Sequence, residues 1–394
     1  MLELFGNIKY EGHPALWYLC LYLLNQFTDN PIAMQIFHLL IATSTVFIFI
    51  KYAPFTQLQK VLFCFGYLPF YEYLLISRNY AIGLLLVCVF CAAYPTRNKG
   101  YLWLAVILFF LANSNAYCLF IAFALGLTLI LEYGLRKKTS SLLSAKVSNM
   151  ISSLIIFFLG IFSSLAQLIP PADSTLQGGI SGWTLRFDYK HLVSTFTRIW
   201  NSYIVILIPG TSREIDGVIF TLLSLGLFAF MATLLIKKPV VLFFYIFCTG
   251  EIILFTYIKF LGAARHYGHL YIVLIAALWI ASYYPKSSLL FELFRKIPRY
   301  LKSVLRAWAK FVEKHKNTLL MIILFAQLAG GIVAFSRDLL IPYSASREAA
   351  RYIQSKQLDQ MFIVGSRDAN ISPISGYLNR KIYYPERQGM GSFV

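Results

Sequence analysis

Near its start the chain reads Tyr10-Glu-Gly-His-Pro-Ala-Leu-Trp-Tyr18, which puts a carboxylate, Glu11, two residues before an imidazole, His13. Both stand at the mouth of an aromatic-rich helix, and Pro14 suits the first turn of that helix, where a backbone N–H is dispensable. A carboxylate and an imidazole at this spacing can accept a proton and orient the group that does so. Cationic and donor groups recur further along, as Arg78 and Tyr80 in Tyr73-Leu-Leu-Ile-Ser-Arg-Asn-Tyr80 and as Arg265 and His266 in Arg265-His-Tyr-Gly268. Guanidinium, imidazole and phenol groups are suited to holding an anion such as a phosphate. Glu251 stands inside an apolar run, where an ionisable residue is a functional candidate by default.

The elements that must position these residues follow from composition. Of the 394 residues 58% are hydrophobic and 13% charged, with a mean hydropathy of +0.66. A soluble domain keeps about a quarter of its residues charged, so the chain reads as an all-α polytopic membrane protein. Lys and Arg number 35 against 17 Asp and Glu, a net charge of +18. In a membrane protein that excess is expected beside the bilayer, where it sets orientation and meets anionic lipid rather than nucleic acid. The six cysteines, Cys88-x-x-Cys91 among them, all fall in apolar runs and read as small fillers of membrane helices. The first ten residues carry no secretory signal pattern.

Runs long enough to cross about 30 Å of hydrocarbon predict ten spans, near 32–50, 60–77, 78–95, 100–115, 116–134, 148–169, 217–236, 239–258, 267–284 and 318–336. Two shorter apolar stretches, 15–27 and 199–208, predict juxtamembrane or re-entrant helices. Loops 51–60, 96–99, 135–147 and 237–238 hold ten Lys and Arg, whereas the alternate short loops hold three, Arg78, Lys259 and Arg265. The positive-inside rule makes the first set cytoplasmic. Six polar segments then meet on the outer face: 11–14, 72–80, 113–115, the long loop 170–216, 265–269 and the tail.

Residues 285–317 carry nine Lys and Arg with apolar residues at helical spacing, predicting two basic amphipathic helices, broken at Pro298, on the anionic cytoplasmic leaflet. A membrane domain thus covers 1–336. Residues 337–394 change to a small α/β pattern on the outer side: helix 346–354, strand 361–364, helix 372–378, strand 382–384. That segment reads as incomplete. No internal repeat of the transporter kind is evident.

On the His13-Pro14 stretch, Tyr73–Tyr80, Arg265–Gly268 and Ser372-Pro-Ile-Ser-Gly-Tyr-Leu378, the chain resembles the GT-C superfamily of membrane glycosyltransferases. Protein O-mannosyltransferases and lipid A aminoarabinose transferases are members. The resemblance runs along nearly the whole chain on short motifs. It implies transfer of a hexose or pentose from a polyprenyl-phosphate carrier to a glycan, lipid or protein acceptor at the outer face of the cytoplasmic membrane, with inversion at the anomeric carbon. Such transfer needs a carboxylate to take the acceptor proton and positive charge where the departing phosphate gathers charge. The resemblance gives Glu11 and His13 the catalytic role and Arg78, Tyr80, Arg265 and His266 the lipid phosphate and sugar. In the long loop, Asp173, Arg186, Asp188, Lys190, His191, Glu214 and Asp216 are candidates to contact sugar or acceptor, and Trp183 could stack on a sugar ring.

Members of the superfamily carry a first helix and an acidic motif upstream of the His-Pro stretch, so this chain is expected to be a shortened form unless Glu11 takes the acidic role. No nucleotide-binding fingerprint is present. No cofactor is specified, and a divalent metal stays open. Two rivals share the apolar bulk and the outer arginines: a polysaccharide polymerase or ligase, and a transporter of lipid-linked sugar.

Overall fold

The computed structural model describes residues 12–28, 30, 32–139, 147–169, 186–205, 214–287, 298–342, 344–386 and 388–392. It divides into two compact units, Met1–Val333 and Ala334–Val394. Helix dominates both.

The first unit opens with α1 (Leu16–Asn25), whose Trp17 packs on Ile41, Ala81 and Ile82. α2 (Ile32–Tyr52) is started by Asn30 Oδ1, which accepts from the Ile32 N–H at 3.0 Å. α3 (Gln57–Cys64) begins with a capping box, Thr56 Oγ1 accepting from the Gln59 N–H and Gln59 Oε1 from the Thr56 N–H. After Gly66 the chain resumes as a π-helix, Tyr67–Leu75. There follow α4 (Tyr80–Ala93), continued to Asn98 by a 3-10 turn, α5 (Leu102–Ala112), α6 (Ala116–Thr139), α7 (Val147–Leu168) and α8 (Tyr189–Tyr203). α9 (Glu214–Leu235), α10 (Pro239–Ile258), the single turn α11 (Ala264–Tyr267), α12 (His269–Ala281) and α13 (Arg299–Leu340) complete the bundle.

Seven described helical stretches are long and apolar enough to cross a membrane, namely α2, α4 with its 3-10 extension, α6, α7, α9, α10 and α13. The chain is therefore a multi-pass α-helical membrane protein. The three remaining expected spans take other forms. Residues 60–77 are α3 and the π-helix, parted at Gly66; 100–115 form the 11-residue α5; 267–284 form the 13-residue α12, every residue of which but Leu278 is buried. A polar turn, Asn113 to Asn115, and Gly268 cut the last two short. The six cysteines are free.

Contacts define two ends of this unit. At one, Lys60 Nζ donates to the Ile50 carbonyl at 2.6 Å, Lys238 Nζ donates to the Ala281 carbonyl, and the rings of Phe49 and Trp279 meet edge-on at 5.6 Å. The basic loop residues 60 and 238 thus complete the unsatisfied carbonyls of α2 and α12. Arg97 belongs here too, yet it is no lipid-facing anchor. Only 4% exposed, it donates from Nε to both carboxylate oxygens of Glu132 at 3.0 Å, its guanidinium lies 4.2 Å from the Tyr94 ring, and the Tyr94 and Tyr284 hydroxyls bond at 2.7 Å. At the opposite end the Ala15 N–H donates to Gln167 Oε1 at 2.7 Å and the Leu16 N–H to the Asn113 carbonyl at 3.3 Å.

Between the ends, two irregular elements meet on Gln327 of α13. α8 starts beside Tyr257, whose carbonyl bonds His191 Nε2 at 2.8 Å, and finishes beside Tyr245, whose hydroxyl bonds that of Tyr203 at 2.9 Å. Twelve residues at 1.5 Å each carry it about 18 Å into the bundle, so the expected short element at 199–208 starts ten residues earlier and is re-entrant. Gln327, fully buried, accepts from the Leu68 N–H just past the Gly66 break at 3.2 Å and donates to the Ser202 carbonyl at 2.7 Å. Backbone freed by a broken helix must be satisfied internally at this depth. One amide side chain serves both breaks.

α13 runs unbroken for 42 residues, about 63 Å. Its first turns are the second expected amphipathic helix, continuous with the last span because nothing in 299–317 breaks a helix; residues 288–297 lie outside the described residues. In the second unit, α14 (Ser346–Ser355) and α15 (Asp368–Leu378) precede an antiparallel pair, β1 (Ile382–Tyr384) and β2 (Gly389–Gly391), with Tyr383 opposite Met390. The expected strand 361–364 is reduced to a parallel bridge from Val364 to Tyr383.

Candidate functional site

At the end of the first unit opposite Lys60 and Lys238, three segments far apart in sequence form one polar box. The π-helix brings Tyr73, fully buried, whose hydroxyl donates to the Arg265 carbonyl at 3.0 Å and lies 3.3 Å from His269 Nδ1. The start of α4 brings Tyr80, its ring 6.0 Å from His266 and 5.7 Å from His269. The start of α6 brings Tyr117, stacked on His269 at 5.1 Å and 5.6 Å from His266. Backbone geometry sets the approach. Gly262 has φ +69°, and a Cβ there would stand 2.8 Å from that of His266. A Cβ on Gly268 would meet the Tyr73 hydroxyl at 2.6 Å.

Five of the six sequence-predicted site residues have described positions, and all five gather here. Arg265 and Arg78 are both within electrostatic range of the Tyr80 hydroxyl, and Arg265, Arg78 and His13 within range of His266. Glu11 lies outside the described residues, as do Asp173 and Trp183. Asp188 caps α8, accepting from the His191 N–H at 3.1 Å, which explains it without a ligand.

His266 stands among the donors of the set. Burial first, and then Arg265, His269, His13 and Arg78, push its imidazole down to about 3. Its Nδ1 accepts the Ala263 N–H at 2.9 Å, so the neutral ring carries its proton on Nε2. Held this way, the ring has Nε2 left to donate. His13 is lowered as well, by burial and by Arg265, and its Nδ1 is buried with no partner among the described residues.

Two further residues complete it: Arg198, not singled out in the sequence, and Glu72, which the sequence placed on this face without a role. Arg198, on re-entrant α8, lies with its guanidinium carbon 4.9 Å from the Tyr267 ring and, with Arg265, within electrostatic range of Tyr117. Its Nε is buried with no partner among the described residues. Glu72 accepts from the Tyr67 hydroxyl at 2.6 Å and is within range of Tyr73 and Tyr267. A π-helix bonds i to i+5, which sets Tyr67 and Glu72 on one face five residues apart. The signal for Glu72 was a carboxylate in an apolar, aromatic run. For Arg198 it was the amphipathic pattern of 189–203, read too short at sequence level.

Arg78, Arg198 and Arg265 make no ion pair with a carboxylate among the described residues. All three are half-buried. Uncompensated cations in such a setting are costly, so the box is chemically prepared for an anion. Among the described residues no group of three or more His, Cys, Asp or Glu side chains is placed to hold a metal ion. Compared with known proteins, the chain matches no family model, no curated protein and no solved structure.

Glu251, the intramembrane acid of α10, is half-buried with Oε2 lacking a partner among the described residues.

Proposed function

We propose that the protein is a ten-span membrane glycosyltransferase of GT-C type, taking a sugar from a polyprenyl-phosphate carrier at the extracytoplasmic end of the bundle. The observation that carries this reading is the convergence of Arg78, Arg198 and Arg265 on the Tyr80–Tyr117–His266 box with no carboxylate paired to them among the described residues. A lipid phosphate is the anion available at the edge of a bilayer, and its negative charge grows as the sugar leaves. The His266 Nε2–H adds a neutral donor. The acceptor hydroxyl gives its proton to a carboxylate, for which Glu72 is the described candidate and Glu11 the sequence-level one, as its oxygen bonds the anomeric carbon and the C1–O bond to phosphate breaks. Inversion follows from that single displacement.

Ten crossings fit the contacts. The broken segment 57–75 runs from Lys60, at one end, to Tyr73, at the other, and α5 and α12 join the same two ends as the long helices. The paired ends also favour the basic loops lying in the cytoplasm.

The test is binding followed by turnover. Purified protein should bind undecaprenyl phosphate about tenfold or more tightly than undecaprenol, in keeping with charge-assisted bonds to phosphate, and should release undecaprenyl phosphate from undecaprenyl-phosphate-linked hexoses or pentoses when membrane acceptors are present. Equal affinity for the two lipids would remove the reading. A second reading, transport of lipid-linked sugar, draws on the Gly66 break facing the re-entrant end of α8, since discontinuous helices mark transporter sites. Lipid-phosphate binding with flux of a fluorescent lipid-linked sugar across vesicles and no transfer would decide for it.

A further inference from the structure

We propose that a groove between α9 and α13 holds an acyl chain of one anionic phospholipid, from the leaflet at the lysine-rich end of the bundle. The groove encloses about 410 Å³ and is lined by Leu222, Leu227 and Phe230 of α9 and by Trp308, Phe311 and Ile322 of α13. Gly226 forms its floor. A Cβ built there meets no atom within 4 Å, so the missing side chain is what leaves the space open.

The groove is layered along its length. Near Trp200, whose N–H donates to Ser224 Oγ at 3.0 Å, it lies at the depth reached by the end of re-entrant α8. Towards the other end Trp308 Nε1 donates to Thr233 Oγ1 at 2.9 Å, and Trp308, Phe311 and His315 form a ladder with ring centroids 5.7 and 4.6 Å apart. Exposed Lys310 and Lys314 stand next to Phe311 and His315 on the same helix, and exposed Arg306 lies one turn nearer the start of that helix. The one acid of 303–316, Glu313, is engaged by Lys316 at 2.7 Å. An apolar channel, then aromatic rings, then unbalanced cations is the order of chain, carbonyl and phosphate in a phospholipid. Charge complementarity selects an anionic headgroup over a zwitterionic one.

The experiment uses the full chain in neutral detergent, titrated with dioleoyl phosphatidylglycerol or dioleoyl phosphatidylcholine and read by native mass spectrometry. One phosphatidylglycerol should be retained about fivefold or more over phosphatidylcholine, the preference expected from one or two basic contacts. Gly226→Leu, which fills the groove, should lower that retention to a similar degree. The double change K310E/K314E should erase the preference while leaving phosphatidylcholine adducts unchanged. A melting temperature of Gly226→Leu at or above that of wild type verifies its fold, since leucine is the better helix former and enters open space. Equal retention of the two lipids by wild type overturns the proposal, as does unchanged retention in Gly226→Leu. A dimer mass without lipid adducts, lost in Gly226→Leu, overturns it in favour of a second copy of the chain.

Discussion

Tyr73 donates its hydroxyl proton to the backbone carbonyl of Arg265 at 3.0 Å, joining the π-helix to the α11 turn across 192 positions of sequence. The bond holds the carbonyl rather than the guanidinium, so it fixes where the Arg265 side chain starts without competing for its charge. Y73F should therefore remove one partner of a carbonyl that the His269 ring also bonds, at a cost of about 0.5–1.5 kcal/mol. Thermal denaturation in detergent checks that cost. Undecaprenyl phosphate binding should weaken in parallel although no charge is lost; unchanged binding would separate Tyr73 from the anion site.

Each of Arg78, Arg198 and Arg265 replaced by Ala should weaken undecaprenyl phosphate binding by about 1.5–3 kcal/mol, the range for hydrogen bonds to charged groups. Lysine at the same positions should recover part of the loss, because a point charge replaces a planar fork. Binding isotherms measure both, and raised salt should reduce the wild-type affinity in the same direction. An Arg198→Ala protein with wild-type affinity would confine the site to the two arginines read from sequence.

His266 predicts a pH dependence of stability. Above pH 6.5 the ring is neutral in the folded and the unfolded chain alike. Between the ordinary value of 6.5 and the folded value of about 3 the unfolded chain takes up a proton that the folded one refuses. Stability contributed by the neutral ring is thus fully present above 6.5 and is lost as pH falls through that window. His266→Asn offers Oδ1 to the Ala263 N–H in place of Nδ1, and should flatten the fall. Melting temperatures taken at intervals from about pH 7 to 4.5 test it.

At the other end of the bundle, Glu132→Gln should be among the more damaging single changes. It leaves Arg97, 4% exposed, without its counter-charge, and breaking a buried pair costs about 3–5 kcal/mol. Replacing both partners, as Arg97→Met with Glu132→Leu, should cost less than either single change. Thermal denaturation of the three variants decides, and a double variant worse than both singles would show that Tyr94 and Tyr284 depend on the charges.

Class, and much of the address of each residue, were legible in the sequence. A chain with 58% hydrophobic and 13% charged residues has no way to cover a water-facing surface, and runs of about 20 apolar residues are a local property that hydropathy reads directly. The basic loops were legible for the same reason. So were Arg78, Tyr80, Arg265 and His266 as residues near one end, because topology alone assigns loops to ends.

What those residues do depends on packing. The neutral state of His266 comes from burial beside Tyr80 and Tyr117 and from a hydrogen bond in a turn that needs Gly262 at positive φ. The entry of Arg198 depends on a helix that ends inside the bundle, held by Gln327 125 residues away. Arg97 changed from a lipid-facing charge to half of a buried pair through Glu132, 35 residues on. Hydropathy sums over neighbours in sequence, whereas these states are set by neighbours in space, where a lost water shell or one opposing charge reverses what a side chain does.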